Sequence, residues 1–354
     1  MKIAIFHDYF GAVGGGEKVV IEMAKILEAD IITTDTDAVA KIDPTVRVIS
    51  LGKTLPYPGL KQISAAGKFY FCNFSKKYDV FIFSGNWAHY AGHRHHPNRW
   101  YCHTPVRAFY DNYEHFSESL PWHTRIFFRI FASLFRRIDQ KSITHIDCII
   151  ANSFNTRKRI RQFFSRESEV IYPPIKTEDY HFSEWGDFWL SVNRLYPEKQ
   201  IELQIESFRA MPEQKLVIAG GYAQGDHSSR YAKKIQENFP PNVSFLGEIP
   251  DTELHDYYAL CRGLICTAKD EDFGMTPLEA MAAGKPVVAV DSGGFRETIT
   301  TETGMLVNSD VGSIVTAIRQ ISRDPEPYKT SCFEQARLFD IRIFRDKIRK
   351  SVEI

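Results

Sequence analysis

Two glutamates in one short segment have the residue types and spacing best suited to chemistry. Glu271 lies in an acidic loop after the apolar run 263–267, and seven residues separate it from Glu279. The apolar run predicts a buried strand, and Thr276-Pro277 predicts the start of a helix. Backbone amides and the dipole at such a helix start favour a phosphate, while carboxylates accept hydrogen bonds from sugar hydroxyls. The segment therefore predicts a site for a ligand with both groups, as a nucleotide-sugar has.

A structural explanation of the same segment competes with this one. Thr276 to Glu279 reads as a capping box with proline at the first helical position, and Glu271 as a solvated loop charge. Phe273-Gly274-Met275 between the two acids is apolar and tight, which a solvated loop does not require. Gly274 permits close approach of the backbone to a ligand. These residues favour the ligand site.

Two basic residues follow the predicted strand 188–192. Arg194 and Lys199 lie where the chain turns from that strand toward the next helix. Departure of a nucleoside diphosphate is the main barrier to transfer when no metal is present. Fixed cations stabilise the negative charge that develops on this leaving group. A surface arginine and a helix-start lysine are the alternative.

Two further candidates lie in the first half of the chain. Gly14-Gly15-Gly16 follows the first strand and opens a helix, where amides can approach a phosphate or a sugar. Its spacing does not fit G-x-G-x-x-G, so a dinucleotide site is disfavoured, and a tight turn without ligand is the alternative. His103 ends another apolar run, and a core histidine bonded to a carbonyl is the alternative there.

Together these segments resemble the retaining glycosyltransferases of family four. Glu271 to Glu279 is similar to their E-x7-E signature, and Arg194-Leu195 with Lys199 to their Arg-Leu…Lys element. The glycine loop ending at Glu17 and the His-Thr-Pro segment 101–107 resemble two more elements, in the order expected for the family. The His-Thr-Pro segment is similar to the mannosyltransferase branch that acts on lipid-linked or surface-polysaccharide acceptors.

The resemblance implies a role for each candidate residue. Glu271 would bind a donor-sugar hydroxyl, Glu279 the ribose hydroxyls, and His103 a sugar hydroxyl. Independently of the resemblance, Arg107 and Asp111 lie about one helical turn apart, and we expect them to contact the acceptor or the partner motif. The expected catalytic set is His103, Arg194, Lys199 and Glu271, and the expected donor-binding set is Gly15, Gly16, Arg194, Lys199, Glu271, Phe273, Gly274, Met275 and Glu279.

The resemblance also implies a reaction. We expect a retaining, metal-independent enzyme without cofactor that moves a hexose, with mannose preferred, from GDP-mannose to a glycan or lipid-linked acceptor in polysaccharide or glycoconjugate synthesis. UDP-sugars remain open as donors. The departing phosphate would take the acceptor's proton, with no protein nucleophile. A sugar-nucleotide epimerase of the same fold, a phosphorylase-like enzyme and a non-catalytic relative that binds a nucleotide-sugar are the alternatives.

Composition and patterning predict the fold class. The 354 residues fit two domains, and 44 basic residues balance 44 acidic ones, so no global field attracts nucleic acid. Strand-like runs alternate with helical segments, which predicts α/β architecture with two doubly wound, Rossmann-like domains facing a cleft; the resemblance implies the GT-B fold. We place an acceptor-binding domain at 1–172, a donor-binding domain at 173–335, and a helix at 336–354 that crosses back to the first domain.

Location and metal binding are also predicted. The first strand is too short for a signal peptide, and no apolar run approaches a membrane span, so a cytoplasmic protein is expected. Asp35-Thr36-Asp37 and the cluster His89, His93, His95 and His96 are the two candidate metal sites. The first lies in a turn and the second lacks further ligands at a suitable spacing, so no metal site is predicted.

The segment 122–137 allows two interpretations. Arg125, Arg129 and Arg136 share one helical face, and Phe127, Phe131 and Leu134 lie together on another. Packing over the sheet is the favoured interpretation. Peripheral contact with the cytoplasmic face of a membrane is the alternative, and it would suit a lipid-linked acceptor.

Overall fold

The computed structural model describes residues 1–10, 14–36, 43, 45–57, 59–221, 231, 235 and 239–353. The chain divides into two compact units. Unit 1 comprises Met1–Tyr172 with Arg345–Ile354, and unit 2 comprises Pro173–Phe344.

Unit 1 is built on a parallel sheet of seven strands within the described ranges. Its order is β3-β2-β1-β4-β5-β6-β7. Its central strands are mostly apolar and covered on both faces, as parallel sheets require; all five residues of β4 are buried. The strands are β1 (Ile3–Tyr9), β2 (Asp30–Thr34), β3 (Val48–Ser50), β4 (Val80–Ser84), β5 (Asn98–Cys102), β6 (Cys148–Ala151) and β7 (Glu169–Val170).

The helices of unit 1 cover this sheet. They are α1 (Gly15–Leu27), α2 (Leu60–Phe71), α3 (Tyr113–Ser119), α4 (Trp122–Ile143) and α5 (Phe154–Phe164), with 3-10 helices at Ala88–Arg94 and Arg107–Phe109. Among the residues that the structure describes, none of the helices has the length and apolar character of a membrane span.

Unit 2 repeats the architecture with six parallel strands among its described residues. The order is β10-β9-β8-β11-β12-β13. The strands are β8 (Phe188–Val192), β9 (Lys215–Ala219), β10 (Val243–Gly247), β11 (Gly263–Cys266), β12 (Val287–Val290) and β13 (Gly304–Val307). Its helices are α6 (Ile201–Arg209), α7 (Asp251–Leu260), α8 (Met275–Ala282), α9 (Phe295–Thr298), α10 (Val311–Arg323) and α11 (Lys329–Arg337), followed by α12 (Ile341–Val352), which begins in unit 2 and ends in unit 1.

The strand order confirms two doubly wound α/β units. In unit 1 the chain builds outward from β1 to β3 and then returns to place β4 against the other side of β1. In unit 2, β8 to β10 and then β11 do the same. Ligands of doubly wound sheets bind beyond the carboxyl ends of the strands at this reversal. The expected positions are therefore the loops after β1 and β4, and those after β8 and β11.

Candidate active site

The reversal in unit 2 brings a lysine and a glutamate into contact. Lys199 follows β8 and Glu271 follows β11, and the Lys199 Nζ lies 2.6 Å from the Glu271 Oε2. Both side chains are mostly covered, at 23% and 21% exposed. Burial alone would lower the pKa of Lys199, but the Glu271 and Asp272 carboxylates outweigh it, so the pKa lies above its usual value. The site therefore holds a fixed ammonium group at neutral pH.

The helix that follows Glu271 begins differently from the sequence prediction. Helix α8 begins at Met275 and is preceded by Gly274 at φ 85°, and no side chain among the described residues caps its first turn. The Thr276 hydroxyl lies 3.8 Å from the Cys266 Sγ. The capping-box interpretation is therefore wrong, because Thr276 already lies within the helix. A left-handed glycine turns the chain here, since a side chain at this φ would be strained.

Glu279 accepts a hydrogen bond from a tyrosine on another helix. The hydroxyl of Tyr258, in α7, donates to the Glu279 Oε2 at 2.7 Å. Burial, followed by the Glu279 charge, holds the pKa of Tyr258 well above its usual range. The tyrosine is therefore a permanent donor that fixes the carboxylate. Sequence reasoning missed Tyr258, which precedes Glu279 by 21 positions and lies on a different element.

A second loop, after β12, packs against the loop that carries Glu271. The Ser292 Oγ accepts from the Asp270 amide at 2.9 Å, and the Gly294 amide donates to the Glu271 carbonyl at 2.7 Å. A Cβ on Gly293, at φ 57°, would lie 2.4 Å from the Glu271 carbonyl oxygen. The Ser-Gly-Gly run directly after an apolar strand was the sequence signal for this contact, and it was missed.

Arg194 follows the carboxyl end of the same strand as Lys199. It follows β8 in an exposed turn, whose neighbour Leu195 donates its amide to the Gly221 carbonyl at 2.9 Å. The structure thus brings Lys199, Glu271 and the start of α8 together, and it places Arg194 in the same β8 loop.

In unit 1 the reversal joins two histidines through a serine. The His7 Nδ1 lies 3.3 Å from the Ser84 Oγ, and the same oxygen lies 2.9 Å from the His103 Nε2. The sequence analysis singled out His103 in the His-Thr-Pro segment, but it missed His7 and Ser84. The alternative of a histidine bonded to a backbone carbonyl does not describe His103, whose Nε2 meets a side-chain hydroxyl.

His7 and His103, the two histidines joined through Ser84, are neutral at physiological pH. Burial lowers the pKa of His103 to about 4. Burial and then the nearby His103 lower the pKa of His7 to about 3, against a smaller opposing effect of Ser84. A neutral imidazole with one nitrogen engaged by Ser84 can use its other nitrogen to hydrogen-bond a sugar hydroxyl.

Asp8 fixes the loop beside these histidines. Its carboxylate accepts from the amides of Asn86, Trp87 and Ala88 at 2.5–2.8 Å. A Cβ on Gly85 would lie 2.4 Å from this carboxylate. Burial raises the pKa of Asp8 to about 6 despite the three amides. Sequence reasoning assigned no role to Asp8.

The predicted glycine loop is described in part. Gly11 to Val13 lie outside the described residues, and Gly14 precedes α1, which begins at Gly15. A Cβ on Gly16 would lie 3.7 Å from the His103 Cε1. The start of α1 is therefore adjacent to the His103 ring, while Gly15 is exposed.

The predicted acceptor residues are paired with each other. The Arg107 Nε lies 3.0 Å from the Asp111 Oδ2, and the Nε of buried Arg159 lies 3.3 Å from the same oxygen. Arg159 also donates to the Thr104 hydroxyl at 3.1 Å. Asp111 thus joins the His-Thr-Pro segment to α5 through Arg159, which the sequence did not single out.

The candidate metal residues are bonded separately. The Asp35 carboxylate accepts from the Thr54 amide and hydroxyl, and Asp37 lies outside the described residues. His89 lies between Ser142 and Asp139, while His95 bridges the Ala91 carbonyl and the Phe74 amide. His89 and His93 belong to the 3-10 helix Ala88–Arg94. Within the described ranges, no three His, Cys, Asp or Glu side chains are grouped so that they could hold a metal.

Helix α4 packs against the core with one side only. Phe135 is buried and Phe131 is half-buried against the core, whereas Phe127 and Leu134 are exposed. Arg125 donates to the carbonyls of Glu118 and Leu120. The helix covers the sheet with one side and presents apolar residues to solvent with another.

Family models and known proteins match the chain over most of its length. The model "Glycosyltransferase Family 4" matches residues 13–179, and the model "Glycosyl transferases group 1" matches residues 177–338. An alpha-1,3/1,6-mannosyltransferase of Dictyostelium discoideum is 31% identical over 55% of this chain and 50% of its own length. One of Candida glabrata is 24% identical over 94% of this chain and 88% of its own.

The match to the first relatives is partial in length. The chain spans about half of the Dictyostelium discoideum protein. The crystal structure of Anabaena HepE in complex with UDP and glucose has a TM-score of 0.80 at 20% identity and covers 99% of both chains, which confirms the fold. The two family models, taken end to end with the doubly wound architecture, confirm the resemblance seen in the sequence: the chain belongs to the glycosyltransferases of family four, and it is similar to their mannosyltransferases.

Proposed function

We propose that the protein is a retaining, metal-independent glycosyltransferase that moves a mannosyl group from GDP-mannose to a glycan or lipid-linked acceptor. The observation that carries this proposal is the Lys199–Glu271 contact beside the start of α8. It combines a fixed cation, a carboxylate and the amides of a helix start. The relatives named as mannosyltransferases support mannose as the sugar. The UDP bound to HepE keeps UDP-sugars as the competing donors.

The proposed roles in unit 2 concern the donor. Lys199 and Arg194 neutralise the diphosphate as it departs, since fixed charges stabilise charge that develops in the transition state. Glu271 binds a hydroxyl of the sugar, and Glu279, oriented by Tyr258, binds the ribose. The amides of Phe273, Gly274 and Met275 hold sugar and phosphate.

The proposed roles in unit 1 concern the sugar and the acceptor. The neutral His103 ring hydrogen-bonds a sugar hydroxyl, and the glycines at the start of α1 allow the donor to approach the backbone. Arg107 contacts the acceptor, and the Asp111 carboxylate holds the Arg107 side chain in place. We propose a cytoplasmic location, since the donor is a soluble nucleotide-sugar, with peripheral contact at the cytoplasmic face of a membrane.

The proposed chemistry needs no protein nucleophile. The acceptor oxygen bonds to the anomeric carbon on the face from which the phosphate oxygen leaves, and the departing diphosphate takes the acceptor's proton. The products are the glycosylated acceptor and GDP. The cation at Lys199 replaces the charge neutralisation that a divalent metal would otherwise provide.

Nucleotide release from a panel of GDP- and UDP-sugars, with and without EDTA, tests this function. We expect release to be fastest from GDP-mannose, to persist in EDTA, and to fall strongly in Glu271→Gln but not in Glu334→Gln, an exposed acid of unit 2. Release that stops in EDTA would refute metal independence. Interconversion of nucleotide-sugars without release would identify an epimerase, and binding without turnover a non-catalytic relative.

A further inference from the structure

Helix α4 presents a continuous apolar surface to solvent. Its members recur at three- and four-residue spacing, so they lie on one side of the helix. The fractional exposure reaches 75% at Trp122 and 74% at Phe127. We call this surface the α4 face; it comprises Trp122, Ile126, Phe127, Ile130, Leu134 and Ile138.

Helix α2 presents a second apolar surface beside it. Leu60, Ile63, Tyr70 and Phe71 are exposed, Phe71 to 72%. The 3-10 helix Ala88–Arg94 lies between the two helices. The Tyr70 ring stacks on His93 with centroids 4.3 Å apart, while the His89 Nδ1 lies 2.9 Å from the Ser142 Oγ of α4. Both helices therefore pack on the same side of the unit 1 sheet, and the sequence pattern indicated only one of them.

The charged side chains that these two helices expose are all basic. Helix α2 contains no Asp or Glu, and the only carboxylate of α4 is Asp139, which is buried between His89 and Tyr110. Arg129, Arg137 and Lys141 of α4 are exposed. Lys76, Lys77 and Arg94, beside the end of α2, are exposed as well.

This combination selects one kind of partner. Exposed apolar and aromatic side chains, on two helices whose own exposed charges are all basic, complement a lipid surface with negative headgroups. Exposed acids such as Asp79 and Glu118 lie outside the two helices. Tryptophan suits the boundary between headgroups and acyl chains. A second copy of the same face would place Arg129, Arg137 and Lys141 against identical cations, which disfavours a symmetric dimer.

We propose that the α4 face and the exposed residues of α2 form one docking surface for an anionic membrane. The apolar residues enter the headgroup region while the basic residues neutralise lipid phosphates. Docking on a membrane would bring the protein to a lipid-linked acceptor, and this consequence alone rests on the proposed function. The docking itself is argued from the exposed residues of the two helices.

Sedimentation with vesicles tests the surface directly. We expect the full chain to bind vesicles of phosphatidylglycerol and phosphatidylcholine in equal parts, and to bind pure phosphatidylcholine less. The triple variant Ile126→Gln, Phe127→Gln, Ile130→Gln should lower the partition coefficient roughly tenfold or more, and Ile63→Gln with Phe71→Gln should also lower it. Leu338→Gln, at an exposed leucine of unit 2, is the matched control and should bind like the wild type.

Charge removal gives the second arm. Arg137→Gln with Lys141→Gln should lower binding to the anionic vesicles and flatten its salt dependence, whereas Lys347→Gln with Lys350→Gln removes the same charge from α12 without this loss. Wild-type binding by the triple variant would overturn the proposal. So would the absence of vesicle binding, or a self-association in sedimentation velocity that the triple variant abolishes. The melting-temperature shift with GDP, measured in parallel, tests the proposed function separately.

Discussion

The ion pair between Lys199 and Glu271 places a mostly covered positive charge where two strand ends meet. The contact of Lys215 with Asp187, also in unit 2, is exposed to solvent at 59% and 69%. Exposed pairs contribute about 0–1 kcal/mol because water screens them. The covered pair is screened less, so its charge acts more strongly on a bound diphosphate.

Replacing the lysine isolates this charge. We expect Lys199→Gln to lower kcat for nucleotide release by roughly a hundredfold to a thousandfold, as expected when one group that stabilises a transition-state charge is removed. Lys215→Gln breaks the exposed pair and should leave kcat unchanged. Initial rates with saturating GDP-mannose measure the difference. Equal rates for the wild type and Lys199→Gln would show that the ammonium does not act on the leaving group.

The sequence predicted the motif residues of the site but not the residues that hydrogen-bond to them and fix their positions. Glu271 with Lys199 and Gly16 beside His103 were candidates, and the structure brings each pair together. Tyr258, Ser84 and Asp8 were missed because their partners lie on other elements; Ser84 meets His7 across 77 positions. A hydroxyl or carboxylate at a strand end acquires its role only when the sheet order brings a partner to it.

At the scale of elements, Gly293 and Gly294 allow the loop after β12 to pack against the loop that carries Glu271. The segment Ser292 to Gly294 follows β12 and lies directly against residues 270–273. Gly293 has a positive φ of 57°, and its Cα faces the Glu271 backbone. Any side chain here must displace the loop that carries Glu271.

A glycine pair separates this effect from general glycine behaviour. Gly293→Ala should lower the free energy of unfolding by about 1–3 kcal/mol, because the residue is left in a strained conformation with a backbone clash, and it should weaken GDP binding. Gly67→Ala, inside α2 where a Cβ meets no atom within 4 Å, should instead raise stability by about 0.5–1 kcal/mol. Urea unfolding and GDP titration measure both. Unchanged GDP affinity in Gly293→Ala would show that the loop after β12 does not support the site.

The elements themselves were predictable from periodicity, while their ends were less so. The predicted strand 188–192 coincides with β8, and the apolar run 263–267 contains β11 and extends one residue beyond it. The start of α8 was misplaced, because Thr-Pro resembles a cap whereas the left-handed Gly274 sets the true boundary. Local propensity identifies a helix, but the packing of Gly274 against Phe295 fixes where it begins.

At the scale of the whole molecule, both units use the same winding. Each sheet starts at a central strand, extends to one side and then returns to the other, which yields one strand-end site in each unit. In unit 2 the site holds a cation and two carboxylates, and in unit 1 it holds two neutral histidines and a serine. We infer that unit 2 recognises the charged nucleotide and that unit 1 recognises hydroxyl groups.

Nucleotide binding measured by thermal shift tests the central claim most directly, since a ligand that binds only the folded state raises the melting temperature. We expect GDP to raise the melting temperature more than UDP or ADP, without added metal. We also expect Glu279→Gln to diminish this shift and Glu334→Gln to preserve it. A GDP shift that is absent in the wild type, or that is equal in the wild type and Glu279→Gln, would contradict a nucleotide site at the start of α8.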